Sequence, residues 1–157
     1  MTDSEAYNFI FGLVATAWAA GVPAIAADSG TGKPDDPYEL RFKGKEDKDN
    51  PSGFWAWSKQ DIVEQEIRSM SDENTFGMAQ KRYETFGISI TTVYAPKSLW
   101  NASKRGFQIA QVIRDAFRAN GQAGAVWFQN ARINTLVDDD INYRWNVVAD
   151  FRYDTIA

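Results

Sequence analysis

Residues 141–154 of the chain read INYRWNVVADFRYD, and this stretch decides the fold. Its odd-numbered positions from Ile141 to Tyr153 are all apolar, whereas all but one of the even-numbered positions are polar or charged. Alternation with a period of two places the odd side chains on one face of a sheet and the even ones on the other. The stretch therefore predicts a β-strand with one core face. At about 3.3 Å per residue it spans roughly 40 Å, so we expect one end to project beyond the domain body and to pair with another chain.

A second strand is predicted just before this one. Residues 125–137 carry alternating apolar side chains, and the phase of the alternation shifts near Asn130 and Ala131, which predicts a β-bulge. The aspartates 138 to 140 then turn the chain. The two strands are expected to form one long antiparallel hairpin.

The N-terminal stretch from Thr2 to Ala20 predicts an amphipathic helix, because its apolar residues recur at i, i+3, i+4 and i+7. Thr2 and Glu5 have the spacing of a capping box. The sequence from Gly21 to Pro23 predicts the end of this helix, and residues 24–27 a short buried strand. We expect the apolar face of the helix to lie on the sheet.

A second helix is predicted from Leu99 to Ala119, with Ser98 as its cap and Asn120 at its end. Glycine is about 1 kcal/mol less favourable than alanine inside a helix, so Gly106 predicts a close contact there. The buried stripe is predicted to consist of Ala102, Gly106, Ile109, Val112, Ile113, Ala116 and Phe117.

The central part of the chain predicts further strands separated by loops. Phe86 to Tyr94 alternates and is rich in β-formers, residues 54–58 are aromatic and strand-like, and residues 61–67 are ambiguous. Residues 28–53 predict a flexible insertion, and residues 69–80 a loop. We therefore predict a single α+β domain over residues 1–157, in which a mixed or antiparallel sheet with a long C-terminal hairpin packs against two helices.

The composition argues against several functions. The 157 residues include no cysteine and no histidine, which removes thiolate chemistry, the Ser-His-Asp triad and the commonest zinc ligand. The net charge of −4 argues against specific nucleic-acid binding, which depends on clustered Lys and Arg. Aromatic residues make up 14% of the chain, a surplus that suits either a partner surface or an aromatic-rich core. We expect no cofactor, no metal and no catalytic role.

The sequence also predicts no contact with a membrane. The start of the chain is acidic and lacks the basic residues of a signal peptide, and no uninterrupted apolar run approaches the ~20 residues that span a bilayer. We expect the protein to be made and kept in a cytoplasm.

Two motifs resemble ligand sites. Asp28 to Pro34 looks like a phosphate-binding loop around Lys33, but Ala27 and Pro34 stand where that loop needs Gly and a Ser or Thr. Consecutive aspartates on a tight turn, as at 138–140, cannot all reach one calcium ion. A flexible loop and a solvated turn are the favoured interpretations. An enzyme that binds a nucleotide or phosphate through Lys33 stays as an alternative from another class of function.

The even side chains of residues 141–154 alternate in charge. Arg144, Asp150, Arg152 and Asp154 suit either the solvated face of a sheet or a subunit interface in which opposite charges fix the register.

The order of these elements resembles the tail terminator proteins of long-tailed bacteriophages and prophages. The resemblance rests on residues 2–20 and 54–154: the N-terminal helix, the run KRYETFGISI at 81–90 that leads to Tyr94, Ala95 and Pro96, the amphipathic helix, and the C-terminal hairpin. It implies a ring, usually of six copies, at the head-proximal end of the tail in the virion. Such a ring stops growth of the tail tube and offers a surface for joining the head.

The resemblance implies three partners: further copies of the chain, the tail tube protein, and a head-completion or connector protein. The residues we expect at the subunit or tube contacts are Arg68, Lys81, Arg82, Asp138, Asp139, Asp140, Arg144, Asp150 and Arg152. The nearest alternative is another component of the neck or tube end. A host-encoded interaction domain is a further one.

Overall fold

The protein is described here by a computed structural model over residues 1–28, 38–42, 56–70, 82–120 and 126–156. Its elements are α1 (Asp3–Ala27), β1 (Glu39–Phe42), β2 (Trp57–Met70), β3 (Arg82–Pro96), α2 (Ala102–Ala119), β4 (Val126–Thr135) and β5 (Asn142–Ile156). The strands form one sheet in the order β1-β2-β3-β5-β4, in which only β1 and β2 are parallel. The predicted α+β class and the long C-terminal hairpin are confirmed.

β5 is a long internal strand of this sheet. As the alternation predicts, its odd residues from Trp145 to Tyr153 are buried. Tyr143 is only half-buried, and the prediction is wrong for Ile141, which precedes the strand and is 60% exposed. β3 pairs with β5 along its whole length, from Asn142 opposite Pro96 to Ile156 opposite Arg82. β3 of the same chain supplies a partner along one whole edge of β5, whereas β4 covers the other edge only from Trp145 to Tyr153, so contact of the end of β5 with another chain stays a prediction.

β3 directs its small side chains toward the helices and its large ones away from them. Ser89 and Thr91 are fully buried on the helix side, whereas Ile88 and Ile90 lie half-buried on the opposite side. The reason is packing, because large side chains of β5 occupy the space beneath the helices. Gly87 is one example: a Cβ there would collide with the ring of Phe151, its partner on β5.

α1 is longer than predicted. Its start is confirmed, since Thr2 is the N-cap and forms a capping box with Glu5. The predicted end at Gly21 to Pro23 and the predicted strand at residues 24–27 are wrong, because the helix continues through Pro23 to Ala27. Val22 and Ala26 are buried on either side of Pro23, and their packing outweighs the hydrogen bond that a proline cannot donate.

The buried side chains of α1 recur every fourth residue, at Ala6, Ile10, Val14, Trp18, Val22 and Ala26. α1 packs chiefly beside α2 on one side of the sheet, and Gly21 lies against Val112 at the point of contact. Of the described helices, α1 alone is long and apolar enough to cross a membrane, by length and composition. The expectation that no segment approaches this length is therefore wrong, because the helix does not stop before Pro23.

Arg105 of α2 is buried at the C-terminal end of α1. It is 2% exposed, and its guanidinium donates hydrogen bonds to the carbonyls of Ile25 and Ala26 at 2.9 Å each. The last carbonyls of a helix have no partners within the helix, so this side chain satisfies them and joins the two helices. The same guanidinium lies 5.4 Å from the ring centroid of Tyr38.

α2 begins three residues later than predicted. Its N-cap is Asn101, in a left-handed conformation with φ of 50°, and not Ser98. The tight contact predicted at Gly106 is confirmed, since a Cβ there would lie 2.8 Å from that of Ala95 and would overlap the ring of Trp145. The buried stripe includes Arg105 and Ala110, which were not predicted, while Val112 and Ala116 are only partly buried.

The remaining strands agree with the predictions except at their ends. β2 is continuous from Trp57 to Met70, so the predicted loop cannot begin at Ser69. The bulge in β4 is confirmed by the register shift between Gln129 and Arg132 and by the positive φ of 54° at Asn130. The Lys33 loop, most of the predicted 28–53 insertion and Lys81 fall outside the described residues.

Candidate interaction surface

The side of the sheet opposite the two helices is called here the open face, because no described helix or strand lies on it. Large apolar side chains from four strands share this face. They are Trp57, Val63, Phe86, Ile88, Ile90, Tyr94, Trp127 and Val148. Val63 is 43% exposed, and the two isoleucines are half-buried. Of these eight side chains, Val63 is exposed, Val148 is buried and the other six are half-buried. Apolar surface that stays exposed on a folded domain is typical of an interaction site.

Arginines cover several aromatic rings of the open face. Trp57 and Tyr94 stack with centroids 4.0 Å apart. The arginine–aromatic pairs are Arg41 over Trp57 at 5.1 Å, Arg68 over Phe86 at 5.1 Å and Arg152 over Trp127 at 5.2 Å from the guanidinium carbon to the ring centroid. Arginine and aromatic residues are the types most enriched in protein–protein interfaces.

Ion pairs link the strands across the open face. Arg82 bonds to Asp154, and Arg152 lies 3.4 Å from the Glu84 carboxylate. A third cluster joins β4 to β5, where Asp150 accepts a hydrogen bond of 2.8 Å from Asn130 and lies 3.6 Å from Arg132. Exposed pairs of this kind each contribute up to about 1 kcal/mol, so their main effect is to orient the arginines.

The structure separates the predicted site residues into two groups. Arg68, Arg82, Arg144, Asp150 and Arg152 all belong to the open face. The aspartates 138 to 140 lie beyond the far end of β3 and β5 from Arg82, a strand length of about 46 Å at 3.3 Å per residue. Arg144 connects the two groups, because its guanidinium lies 3.9 Å from the carboxylate of Asp139.

The loop between β4 and β5 is held in place by its own residues. Asp139 accepts hydrogen bonds from the backbone N–H groups of Asn142 and Ile141, which hold the pKa of its carboxyl below the usual range. Arg144 donates two hydrogen bonds to the carbonyl of Val137, at 2.6 and 3.0 Å. Asp139 and Arg144 thus shape the loop, while Asp138 and Asp140 are exposed.

The same end of the molecule has a shallow cavity of about 640 Å³ at the start of α2. Lys97, Lys104, Phe107 and Tyr143 are among the residues that line it. Lys97 also donates a hydrogen bond of 2.7 Å to the carbonyl of Asp139. In the part of the chain that the structure describes, no group of three or more acidic side chains is placed to hold a metal ion.

A cluster of tyrosines and carboxylates joins the start of α1 to the sheet. The hydroxyl of Tyr153 lies 3.0 Å from Oδ1 of Asp3 and 2.9 Å from Oε1 of Glu64. Burial, followed by the hydrogen bonds to these carboxylates, raises the pKa of Tyr153 well above its usual range. Burial and Glu64 raise the pKa of Tyr7 in the same direction. The cluster is structural, since its hydroxyls bond within the protein.

No pattern in the sequence indicates the apolar part of the open face. Phe86, Ile88 and Ile90 alternate with residues that are also good β-formers, so the pattern indicates a strand but not which side is covered. The signal that was available is size, because the intervening side chains, Gly87 and Ser89, are small.

Searches with the chain matched neither a protein-family model nor a curated protein.

Proposed function

We propose that the protein is a structural component of a phage or prophage virion that caps the tail tube as a ring. In this role it stops polymerisation of the tube and presents a surface for joining the head. The order of elements on which the resemblance rests is present in the fold, from the N-terminal helix to the C-terminal hairpin.

The open face is the observation that carries the proposal. A strand that turns Phe86, Ile88 and Ile90 away from its own helices presents a surface suited to another protein. A ring of identical subunits needs such a surface on each copy. Contacts that close into a ring cannot extend indefinitely, so a ring that binds the tube end prevents further addition.

Tube length is the direct test of the proposal. The purified protein is added to polymerising tail tube protein, and tube lengths are measured by negative-stain electron microscopy. We expect short tubes with a ring at one end and, in a phage that lacks the protein, overlong tails. Tubes that elongate equally with and without the protein would contradict the proposal.

A matched pair of variants tests whether the open face is responsible. Val63→Arg adds a charge to the open face, and Val137→Arg adds the same charge to the β4–β5 loop, where the valine is 85% exposed. We expect the first variant to lose capping and the second to retain it, with both folded by circular dichroism. The opposite result would place the contact at the loop.

A further inference from the structure

A cluster of neutral polar side chains lies on the helix side of β2 and β3, among residues of the core. Ser58, Gln60, Ser89 and Thr91 are each 0% exposed. Gln60 stands opposite Thr91 in the strand register, and Ser58 stands opposite the core residue Val93. Alternate residues of a strand point to the same side, so all four side chains share one face. The cluster is therefore inside the protein, away from bulk solvent.

α1 lies over this part of the sheet. Phe11 contacts Phe42, which stands opposite Gln60 on β1, with ring centroids 5.0 Å apart. On the other side of the helix, Phe9 contacts Phe128 of β4 at a centroid distance of 6.4 Å. α1 therefore crosses above β2 and β3, which lie between these two strands. The buried side chains of α1 carry no hydrogen-bond acceptor, so the helix cannot accept a bond from the cluster.

Three atoms of the cluster have no hydrogen-bond partner among the described residues. They are Oγ of Ser58, Oε1 of Gln60 and Oγ1 of Thr91. Nε2 of Gln60 donates to Oγ of Ser89 at 3.0 Å, and turning the amide over would only leave its other end without a partner. A buried polar atom without a partner destabilises a fold by more than one hydrogen bond stabilises it. Three such atoms at adjoining positions indicate that they bind a common ligand.

Water is the ligand that suits these three atoms. Oε1 of Gln60 only accepts, the two hydroxyls donate or accept, and a water molecule can donate two bonds and accept two. One water can thus bond to all three atoms, and about three bonds are typical of a buried water. The β5 residues beside the cluster, Val147 opposite Thr91 and Ala149 opposite Ser89, have small side chains. The cluster contains no charged side chain, which favours a neutral ligand over an ion.

We propose that the helix side of β2 and β3 holds an internal water-binding site, in which one water molecule bonds to Oγ of Ser58, Oε1 of Gln60 and Oγ1 of Thr91. The water joins the two strands through their side chains, beneath α1. The site belongs to the single subunit, so it does not depend on the proposed function and is tested separately from it.

A crystal structure of the wild-type protein, at a resolution that shows ordered water, tests the site directly. We expect a water peak about 2.6–3.2 Å from each of the three atoms. Three outcomes would overturn the inference: direct hydrogen bonds between the three atoms, a side chain from elsewhere in the chain bonded to them, or no density between them.

The direction of a stability change separates a hydrated site from a dry one. Thr91→Val exchanges a hydroxyl for a methyl group of similar shape and keeps the branched Cβ. If the hydroxyl bonds to water, the substitution removes that bond and lowers the midpoint of urea denaturation. If the hydroxyl has no partner, the substitution removes a buried unsatisfied group and raises the midpoint. We expect a lower midpoint, and an unchanged or raised one would overturn the inference.

Thr135→Val is the matched control, because it makes the same change at an exposed position of β4. We expect it to leave the midpoint unchanged. Ser58→Ala removes a second hydroxyl of the site and should lower the midpoint as Thr91→Val does. If neither site variant folds, the water peak in the wild-type crystal structure still decides the question.

Discussion

Single side chains decide how closely α2 lies on the sheet. A Cβ at Gly106 would overlap Trp145, while one at Gly12 of α1 would meet nothing within 4 Å. Both glycines lie inside helices, where alanine is favoured by about 1 kcal/mol. The surroundings of each glycine therefore determine whether its substitution by alanine raises or lowers the free energy of unfolding.

Gly106→Ala is expected to lower the free energy of unfolding by about 1–3 kcal/mol, because Trp145 and Ala95 must move to admit the methyl group. Gly12→Ala is the matched control and is expected to raise it by about 1 kcal/mol. Urea denaturation at one subunit concentration measures both. Equal effects of the same sign would mean that the contact at Gly106 is not close.

Tyr153 is expected to make the protein sensitive to alkali. Its pKa is raised in the folded state, so the folded protein keeps a proton that the unfolded chain releases at about pH 10. The contribution is complete below that pH and is lost as the pH rises above it. Tyr153→Phe should flatten the fall of the unfolding free energy as the pH rises above about 10. An unchanged slope would mean that Tyr7 or other groups are responsible.

At the scale of whole elements, α1 depends on a residue that is distant in the sequence. Arg105 donates to the carbonyls of Ile25 and Ala26 and so holds the last turn of a helix that also contains Pro23. Hydrogen bonds from a charged donor contribute about 1.5–3 kcal/mol each. The end of α1 and the start of α2 are therefore stabilised together.

Arg105→Met removes these donors and keeps most of the side-chain volume. We expect the unfolding free energy to fall by about 3 kcal/mol, with faster amide hydrogen exchange in the last turn of α1 than in its first turns. Arg105→Lys is the control, since it keeps the charge but not the planar fork, and should have an intermediate effect. Uniform exchange along α1 in Arg105→Met would contradict the role of Arg105 as a clamp.

The sequence predicts features that depend on neighbouring residues, and it does not predict those that depend on contacts between distant residues. The alternation in β5, the capping box at Thr2 and the bulge at Asn130 depend on neighbouring residues, and each is confirmed. The continuation of α1 past Pro23 is stabilised by the burial of Val22 and Ala26 and by Arg105, about 80 residues away, and no local pattern indicates it. The outward direction of Ile88 and Ile90 was missed for the same reason, because large β5 side chains fill the other side.

At the scale of the whole molecule, the domain has two layers, with helices on one side of the sheet and the open face on the other. Of the nine residues predicted for the contacts, five share the open face. Charge alternation indicated Arg144, Asp150 and Arg152, whereas Arg68 and Arg82 were expected as contacts in the ring that the resemblance implies. The predicted aspartates at 138–140 belong to a loop that Asp139 and Arg144 hold from within.

The bulge in β4 has a consequence for the behaviour of the protein at high concentration. β4 lies at the margin of the sheet, and its backbone turns at Asn130, while Arg118 donates to the carbonyl of Ala131 at 3.2 and 3.3 Å. A strand from another molecule cannot pair along the whole of this edge, because the bulge interrupts the row of free backbone hydrogen-bonding groups. Copies crowded together are thereby protected along this margin from fibrillar, amyloid-like stacking.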